Sequence, residues 1–232
     1  MKISGSVALV TGANRGLGRA FARALVERGA TVYAGARDPG TITDPGLIPV
    51  KLDVTDPRDI AAVAARCDDV TLLVNNAGVA HAGPILDSLD AARQEMEINY
   101  FGTLALSRAF APILGATGGG ALVNMLSVLS YVSFPGLGSY SASKAAAWSL
   151  TNGIRLELAE QGTLVVGVHA GFIDTDMAAG APPPKLDPDD VAAQTFDAVE
   201  EGRPEVWVDE VSRQARAGLS GDLEVLYPTL RR

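Results

Sequence analysis

The sequence has one cysteine, Cys67, and two histidines, His81 and His169. A lone thiol excludes an internal disulfide, and a cytoplasmic protein is the expectation. Cys67 reads as a small buried hydrophobe rather than a nucleophile. Two isolated histidines without a cysteine or acid cluster beside them provide no metal site. Basic residues are few, 19 against 27 acidic, for a net charge of −8 over 232 residues. Phosphate backbones require clustered Lys and Arg, so nucleic acid is excluded as the main partner. Stretch 187–210 holds nine acids and one base, Arg203. No polybasic segment marks a membrane anchor, and the acidic excess reads as solubility. The four-residue apolar run Val7–Val10 does not make a secretory leader. Most unusual, the 35 positions between Arg108 and Lys144 carry no charge. Glycines, prolines and Asn124 interrupt that stretch, whereas a membrane-spanning helix needs about 20 mostly apolar residues. The stretch is therefore protein interior or a site, and composition leaves both open.

What is present is an alternation of short apolar runs and helical patterns, as expected for one domain over residues 1–232. Strands are expected at 7–10, 31–34, 47–51, 70–74, 121–124, 163–168 and 205–208. Helices are expected at 16–28, 56–66, 139–160, 187–200 and 210–219. A further helical stretch, with breaks, runs from Asp87 or Ser88 to Leu114. Leu17, Ala20, Phe21, Ala24 and Leu25 recur at i, i+3, i+4 and mark the first helix. Asp56 and Asp187, each followed by proline, mark two more helix starts. The alternation implies an α/β fold: a doubly wound, Rossmann-type parallel sheet of about seven strands with helices on both faces. Residues 178–184 read as a surface loop.

The turn Thr11-Gly12-Ala13-Asn14-Arg15-Gly16-Leu17-Gly18 follows the first strand and opens the first helix. There a backbone can approach a pyrophosphate and a helix N-terminus can meet its charge. Its spacing is G-x-x-x-G-x-G, not G-x-G-x-x-G. Downstream come Asn75-Asn76-Ala77-Gly78 after the fourth strand, Asn99 within Glu97–Gly102, Ser127, and Tyr140-Ser-Ala-Ser-Lys144. The glycine turn, Asn75–Gly78, Asn99, and Tyr140–Lys144 with Ser127 thirteen residues before it make four ordered motifs, which resemble those of the short-chain dehydrogenase/reductase family over residues 5–177. The resemblance implies a nicotinamide dinucleotide held by Gly12, Asn14, Arg15, Gly16, Leu17, Gly18, Asn75, Ala77 and Gly78. It also implies contacts from Tyr140, Lys144, Gly171, Ile173 and Thr175. Asp53 and Val54 would meet the adenine; the alternative for Asp53, a turn cap with Thr55, is compatible with that role.

An NAD site wants a carboxylate at the end of the second strand to accept from the ribose 2′-OH. That position is Ala36. Arg37 follows it and Arg15 lies in the glycine turn, so two guanidiniums could meet a 2′-phosphate. NADP(H) is expected over NAD(H). Asp38 complicates this, because it could pair with either arginine.

Tyr140 and Lys144 stand four apart on one helical face. Carbonyl reduction needs a proton donor within reach of the oxygen. A nearby ammonium would lower the phenol of Tyr140 from its usual value near 10. By resemblance Lys144 also holds the nicotinamide ribose, Ser127 donates to the carbonyl oxygen, and Asn99 holds a water of a proton relay. Ser130 and Ser133 are rivals to Ser127, and Ser130 is either a pocket liner or a turn serine. Most family members carry Pro-Gly after the sixth strand, whereas here Ala170 precedes Gly171, so the loop is less rigid. His169 reads as a satisfied structural group and His81 as a pocket-rim candidate. Phe134, Phe172 and Met177 are candidates for an apolar pocket wall. The expected activity is an NADPH-dependent carbonyl reductase or alcohol dehydrogenase, assembled as a homodimer or homotetramer. The competing reading is a catalytically silent coenzyme-binding regulator on the same fold.

Overall fold

The computed structural model describes residues 1–227. The end of the expected domain, 228–232, lies outside the described residues. Seven strands form one parallel sheet: β1 (Val7–Thr11), β2 (Thr31–Ala36), β3 (Leu47–Lys51), β4 (Leu72–Asn75), β5 (Ala121–Met125), β6 (Leu164–His169) and β7 (Glu205–Trp207). Their order is β3-β2-β1-β4-β5-β6-β7. The central strands are short apolar runs because both faces are covered: Leu72, Leu73 and Val74 are all fully buried. On one face α1 (Gly16–Glu27) packs with α6 (Pro188–Glu201), where Phe21 meets Phe196 edge-on at 5.5 Å. On the other lie α2 (Pro57–Arg66), α4 (Thr103–Ala116) and α5 (Gly138–Glu157), which bury Val63, Phe110, Leu114 and Ile154.

The helix starts follow their caps. Asp56 and Asp187 accept from the backbone N–H two residues on. Ser88 caps α3 (Leu89–Met96), and Asp209 caps α7 (Glu210–Gly218). The expected breaks in the stretch to Leu114 resolve into one feature, a π-helical turn over Glu97–Gly102 that joins α3 to α4. The helix expected at 139–160 runs from Gly138 to Glu157. A short α8 (Leu223–Leu226) was not expected: its Leu223 and Val225 are exposed, so no buried stripe announces it.

One face carries a buried polar seam. Asn75 Nδ2 donates to Asn124 Oδ1 at 2.9 Å and to Ser107 Oγ at 3.2 Å. Asn124 Nδ2 donates to Thr151 Oγ1 at 2.9 Å. These bonds tie β4, β5, α4 and α5 at fixed height, because a buried amide without partners is costly.

β1 and β4 are neighbours, but the chain winds outward from them in opposite directions. A crevice therefore opens beyond their carboxyl ends. The start of α1 is pressed into it at Gly18, where a Cβ would stand 2.1 Å from the Gly12 carbonyl oxygen and 2.5 Å from Asn76 Nδ2. Gly18→Ala is expected to cost about 1–3 kcal/mol through overpacking. Urea denaturation reads this directly, and an unchanged midpoint would contradict the packing.

Candidate active site

The glycine turn builds the floor of the crevice. Gly12 and Gly16 have φ of +64° and +51°, a region that side-chain-bearing residues rarely adopt. No side chain caps the start of α1, and no acid lies in its first turn. Its first N–H groups and positive dipole end are thus open to an anion. Asn14 is half-buried beside them. Gly18 permits close packing of the turn, and the Leu17 side chain lies in the core. Thr11 and Asn76 were not singled out from the sequence, yet they stitch the site. Thr11 Oγ1 accepts from the N–H groups of Asn76 and Ala77, both at 2.9 Å, and Asn76 Nδ2 donates to the Thr11 carbonyl at 3.0 Å.

Ala36 ends β2 and is buried. Arg37 beside it is exposed, with no acidic partner among the described residues. Asp38 accepts from Gly40 N–H at 2.9 Å and pairs with neither arginine. Arg15 does have a partner, Asp176 at 3.2 Å, but both side chains are over 70% exposed, at 73% and 79%. Such a pair holds weakly. Asp53 caps its turn: Oδ1 accepts from Thr55 N–H and Oγ1 at 2.9 and 2.8 Å, and no hydrogen bond engages Oδ2. Val54 is buried against Gly102, where a Cβ would meet it at 2.9 Å. Asn75 turns its Nδ2 into the polar seam, while its buried Oδ1 has no partner among the described residues. Thr175 reaches the glycine turn, its Cγ2 lying 3.2 Å from where a Gly16 Cβ would be. Gly171 makes room for Asp209, which accepts its N–H at 2.9 Å. Ile173 packs on the core.

The catalytic candidates converge past the ends of β4 and β5. A Cβ at Gly78 would lie 3.0 Å from Asn99 Oδ1 and 3.7 Å from Lys144 Nζ, which places those three together. Asn99 clamps the loop after β4: Oδ1 accepts Val79 N–H and Nδ2 donates to the Val79 carbonyl, each at 2.9 Å. Nδ2 also donates to Ser143 Oγ at 2.9 Å, which in turn donates to the Tyr140 carbonyl at 2.7 Å. The Asn99 side chain is thus committed to protein partners. Its carbonyl, in the π turn, accepts from Thr103 Oγ1 at 3.0 Å. Ser127 Oγ accepts Leu129 N–H at 3.1 Å, which leaves its own hydrogen to donate elsewhere. Ser130 is a turn serine: it is buried and its Oγ accepts Ser127 N–H at 3.2 Å.

Lys144 is 5% exposed and donates to the Met125 carbonyl at 2.8 Å. Burial pulls its ammonium down to about 8. Its Nζ lies 5.7 Å from the centre of the Tyr140 ring. Among this chain's own groups the Tyr140 phenol moves up to about 12, against the lowering expected. Burial is the main cause, Ser127 opposes it, and the Glu95 carboxylate adds to it. Glu95 was missed in the sequence. It is fully buried on α3, one turn before Asn99, and its Oε1 accepts His81 N–H at 2.7 Å. Its Oε2 has no partner. The i, i+4 spacing to Asn99 was the available signal. The stretch without charge contains Ser127 and Tyr140 and ends at Lys144, and α3 brings an acid to them from outside it.

Phe134 and Phe172 meet edge-on at 6.3 Å, and Phe134 and Met177 are exposed. Cys67 is buried, and desolvation pushes its thiol up to about 11, which fits an inert role. Among the described residues no group of three or more His, Cys, Asp or Glu gathers for a metal. No described helix is long and apolar enough to cross a membrane.

Comparison with known proteins agrees with this geometry. The family model for short chain dehydrogenase matches residues 6–185. Cis-4-hydroxycyclohexanecarboxylate dehydrogenase of Sinomonas cyclohexanicum is 37% identical over 190 residues, 76% of each chain. A short chain dehydrogenase from Burkholderia cenocepacia, solved in complex with NADP, is 44% identical with a TM-score of 0.94, covering 100% of both chains. A short chain dehydrogenase/reductase from Burkholderia phymatum, solved with NAD, is 26% identical with a TM-score of 0.84, over 94% of this chain and 95% of that one. With the ordered motifs, the parallel sheet and the Ser127–Tyr140–Lys144 grouping in place, the chain belongs to the short-chain dehydrogenase/reductase family of oxidoreductases, which act between CH–OH and C=O groups.

Proposed function

We propose that the chain interconverts a small or medium apolar ketone or aldehyde and its alcohol with NADP(H), with Tyr140 as general acid/base. The observation that carries this reading is the placement of Tyr140 beside Ser127 and Lys144 at the crevice. The open N-terminus of α1 and the φ > 0 glycines fit the coenzyme's phosphates. Bound there, the nicotinamide would supply or take the hydride. Tyr140 gives its proton to the carbonyl oxygen, and the free hydrogen of Ser127 donates to the charge developing there. Lys144 would hold the ribose of a bound coenzyme, and its ammonium would favour the phenolate. Asn99 acts through the loop it clamps and through Ser143 rather than by a free side chain. The apolar pair Phe134–Phe172 supports an apolar substrate. The reading extends to a cytoplasmic homodimer or homotetramer, whose mass light scattering measures directly.

Preference for NADP(H) is supported by Ala36, which offers no carboxylate, by the unpaired Arg37, and by the NADP complex of the Burkholderia cenocepacia relative.

Three outcomes test the reading. Tyr140→Phe is expected to cut turnover of a carbonyl panel, followed by NADPH absorbance, by about 100-fold or more. Equal rates in both proteins would remove the mechanism. Arg37→Asp is expected to raise the NADPH Michaelis constant by about tenfold or more, the loss of a charge-assisted bond; an unchanged constant speaks for NAD(H). Glu95→Gln removes a negative charge that opposes the phenolate. Tyr140 should then ionise at lower pH, and the rising limb of the alcohol-oxidation pH profile should move down; a limb that stays or moves up contradicts the assigned coupling.

A further inference from the structure

Behind Ser127 lies a buried polar cluster that the proposed reaction does not use. His169 ends β6 and is fully buried. Its Nδ1 lies 3.2 Å from the Ser127 carbonyl oxygen. Its Nε2 lies 2.8 Å from the Tyr131 phenol oxygen and 2.9 Å from Glu205 Oε2. The other Glu205 oxygen accepts from Arg155 at 2.9 Å, and Trp207 Nε1–H donates to the Tyr131 oxygen at 3.1 Å. The Tyr131 ring stacks on the imidazole at 4.5 Å with 19° between planes.

The sheet builds this cluster. Register sets His169 against Trp207 and Gly167 against Glu205. A Cβ at Gly167 would stand 3.1 Å from Glu205 Oε2, so the glycine leaves space for the carboxylate. Alternation then puts Gly167, His169, Glu205 and Trp207 on one face.

A carbonyl oxygen only accepts, so the bond to Ser127 requires a hydrogen on Nδ1; Nε2 then accepts from the Tyr131 hydroxyl if the ring is neutral, or donates to Glu205 if the ring carries both hydrogens. Glu205 and Tyr131 hold the far side of the ring and fix its orientation. A buried polar network of this size is poor value as a source of stability alone, since apolar packing does as well. Its one contact with the reacting centre is the Ser127 backbone.

We infer that His169 is a positioning residue: through Nδ1–H on the Ser127 carbonyl, with Glu205 and Tyr131 holding the ring from behind, it sets where the Ser127 hydroxyl points. The inference rests on the reading of Ser127 as donor to the substrate carbonyl oxygen.

Two measurements test it separately. The chain has two histidines, so imidazole ¹⁵N spectra carry two sets of signals, assigned with a His81→Gln variant. His169 Nδ1 is expected to be protonated, and a bare Nδ1 would overturn the inference whether or not the protein turns over a carbonyl. The second compares His169→Asn, whose amide N–H falls near Nδ1, with His169→Gln, whose amide falls near Nε2. With NADPH and the carbonyl panel, kcat of the Gln variant is expected to fall about tenfold to hundredfold, the scale of a displaced reacting group. The Asn variant should stay near wild type, and NADPH affinity, read by fluorescence titration, should hold in both. Equal kcat in all three proteins, or equal losses in both variants, would overturn the positioning role. Should wild type reduce nothing on the panel, the functional reading fails, and the Nδ1 signal alone decides whether the ring holds the serine loop.

Discussion

A single buried cation governs the arrangement of the site. Lys144 has almost no access to water, and one protein hydrogen bond, to the Met125 carbonyl, receives its ammonium. Burying a charge that sparsely is costly unless further acceptors complete its shell. Burial pulls the ammonium toward its neutral form, which is the sign of that cost. Everything around it is arranged to keep the group in place nonetheless. Gly78 leaves it space, Asn99 fixes the loop on one side, and the polar seam fixes α5 on the other. A coenzyme's ribose hydroxyls are the acceptors such a group lacks, which links the coenzyme proposal to an energetic requirement of the fold.

The sequence made the sheet legible because the strands are compact apolar runs and the starts of α2, α3, α6 and α7 carry polar caps. It made the catalytic grouping legible because Tyr140 and Lys144 are close in the chain. It concealed what depends on distant contacts. Asn75 reads as a coenzyme contact, and its bonds to Asn124 and Ser107 come from 49 and 32 residues away. Glu95 reads as one more surface acid of α3 until the loop at His81 is folded over it. Arg15 reads as a free guanidinium until Asp176 arrives from 161 residues away. In each case the residue's type was plain and its partner was not. The direction of the Tyr140 shift was concealed for the same reason: it depends on burial and on Glu95, and neither is visible near Tyr140 in the chain.

The crevice itself is divided by chemistry. Its phosphate side is made of backbone: glycines, a bare helix start and the Thr11 stitch. Its reacting side is made of side chains held by other side chains, with Ser143 beneath Tyr140 and Ser130 beneath Ser127. Its outer side, near Met177, is exposed and carries the Arg15–Asp176 pair. Binding energy and orientation thus come from separate elements, and the outer wall can vary without disturbing the other two.

The π turn at Glu97–Gly102 has a consequence for the phase of the helix it interrupts. The buried stripe through Glu95, Asn99, Thr103, Leu106, Phe110 and Leu114 takes five steps to cover nineteen positions. Five turns of regular α-helix would cover about eighteen. The widened turn absorbs the surplus residue. Without it, one end of the rod would be rotated by about 100° relative to the other. Polar clamps at one end and core leucines at the other can therefore share a single azimuth, so one continuous rod both grips the loop beside the active site and packs into the hydrophobic interior.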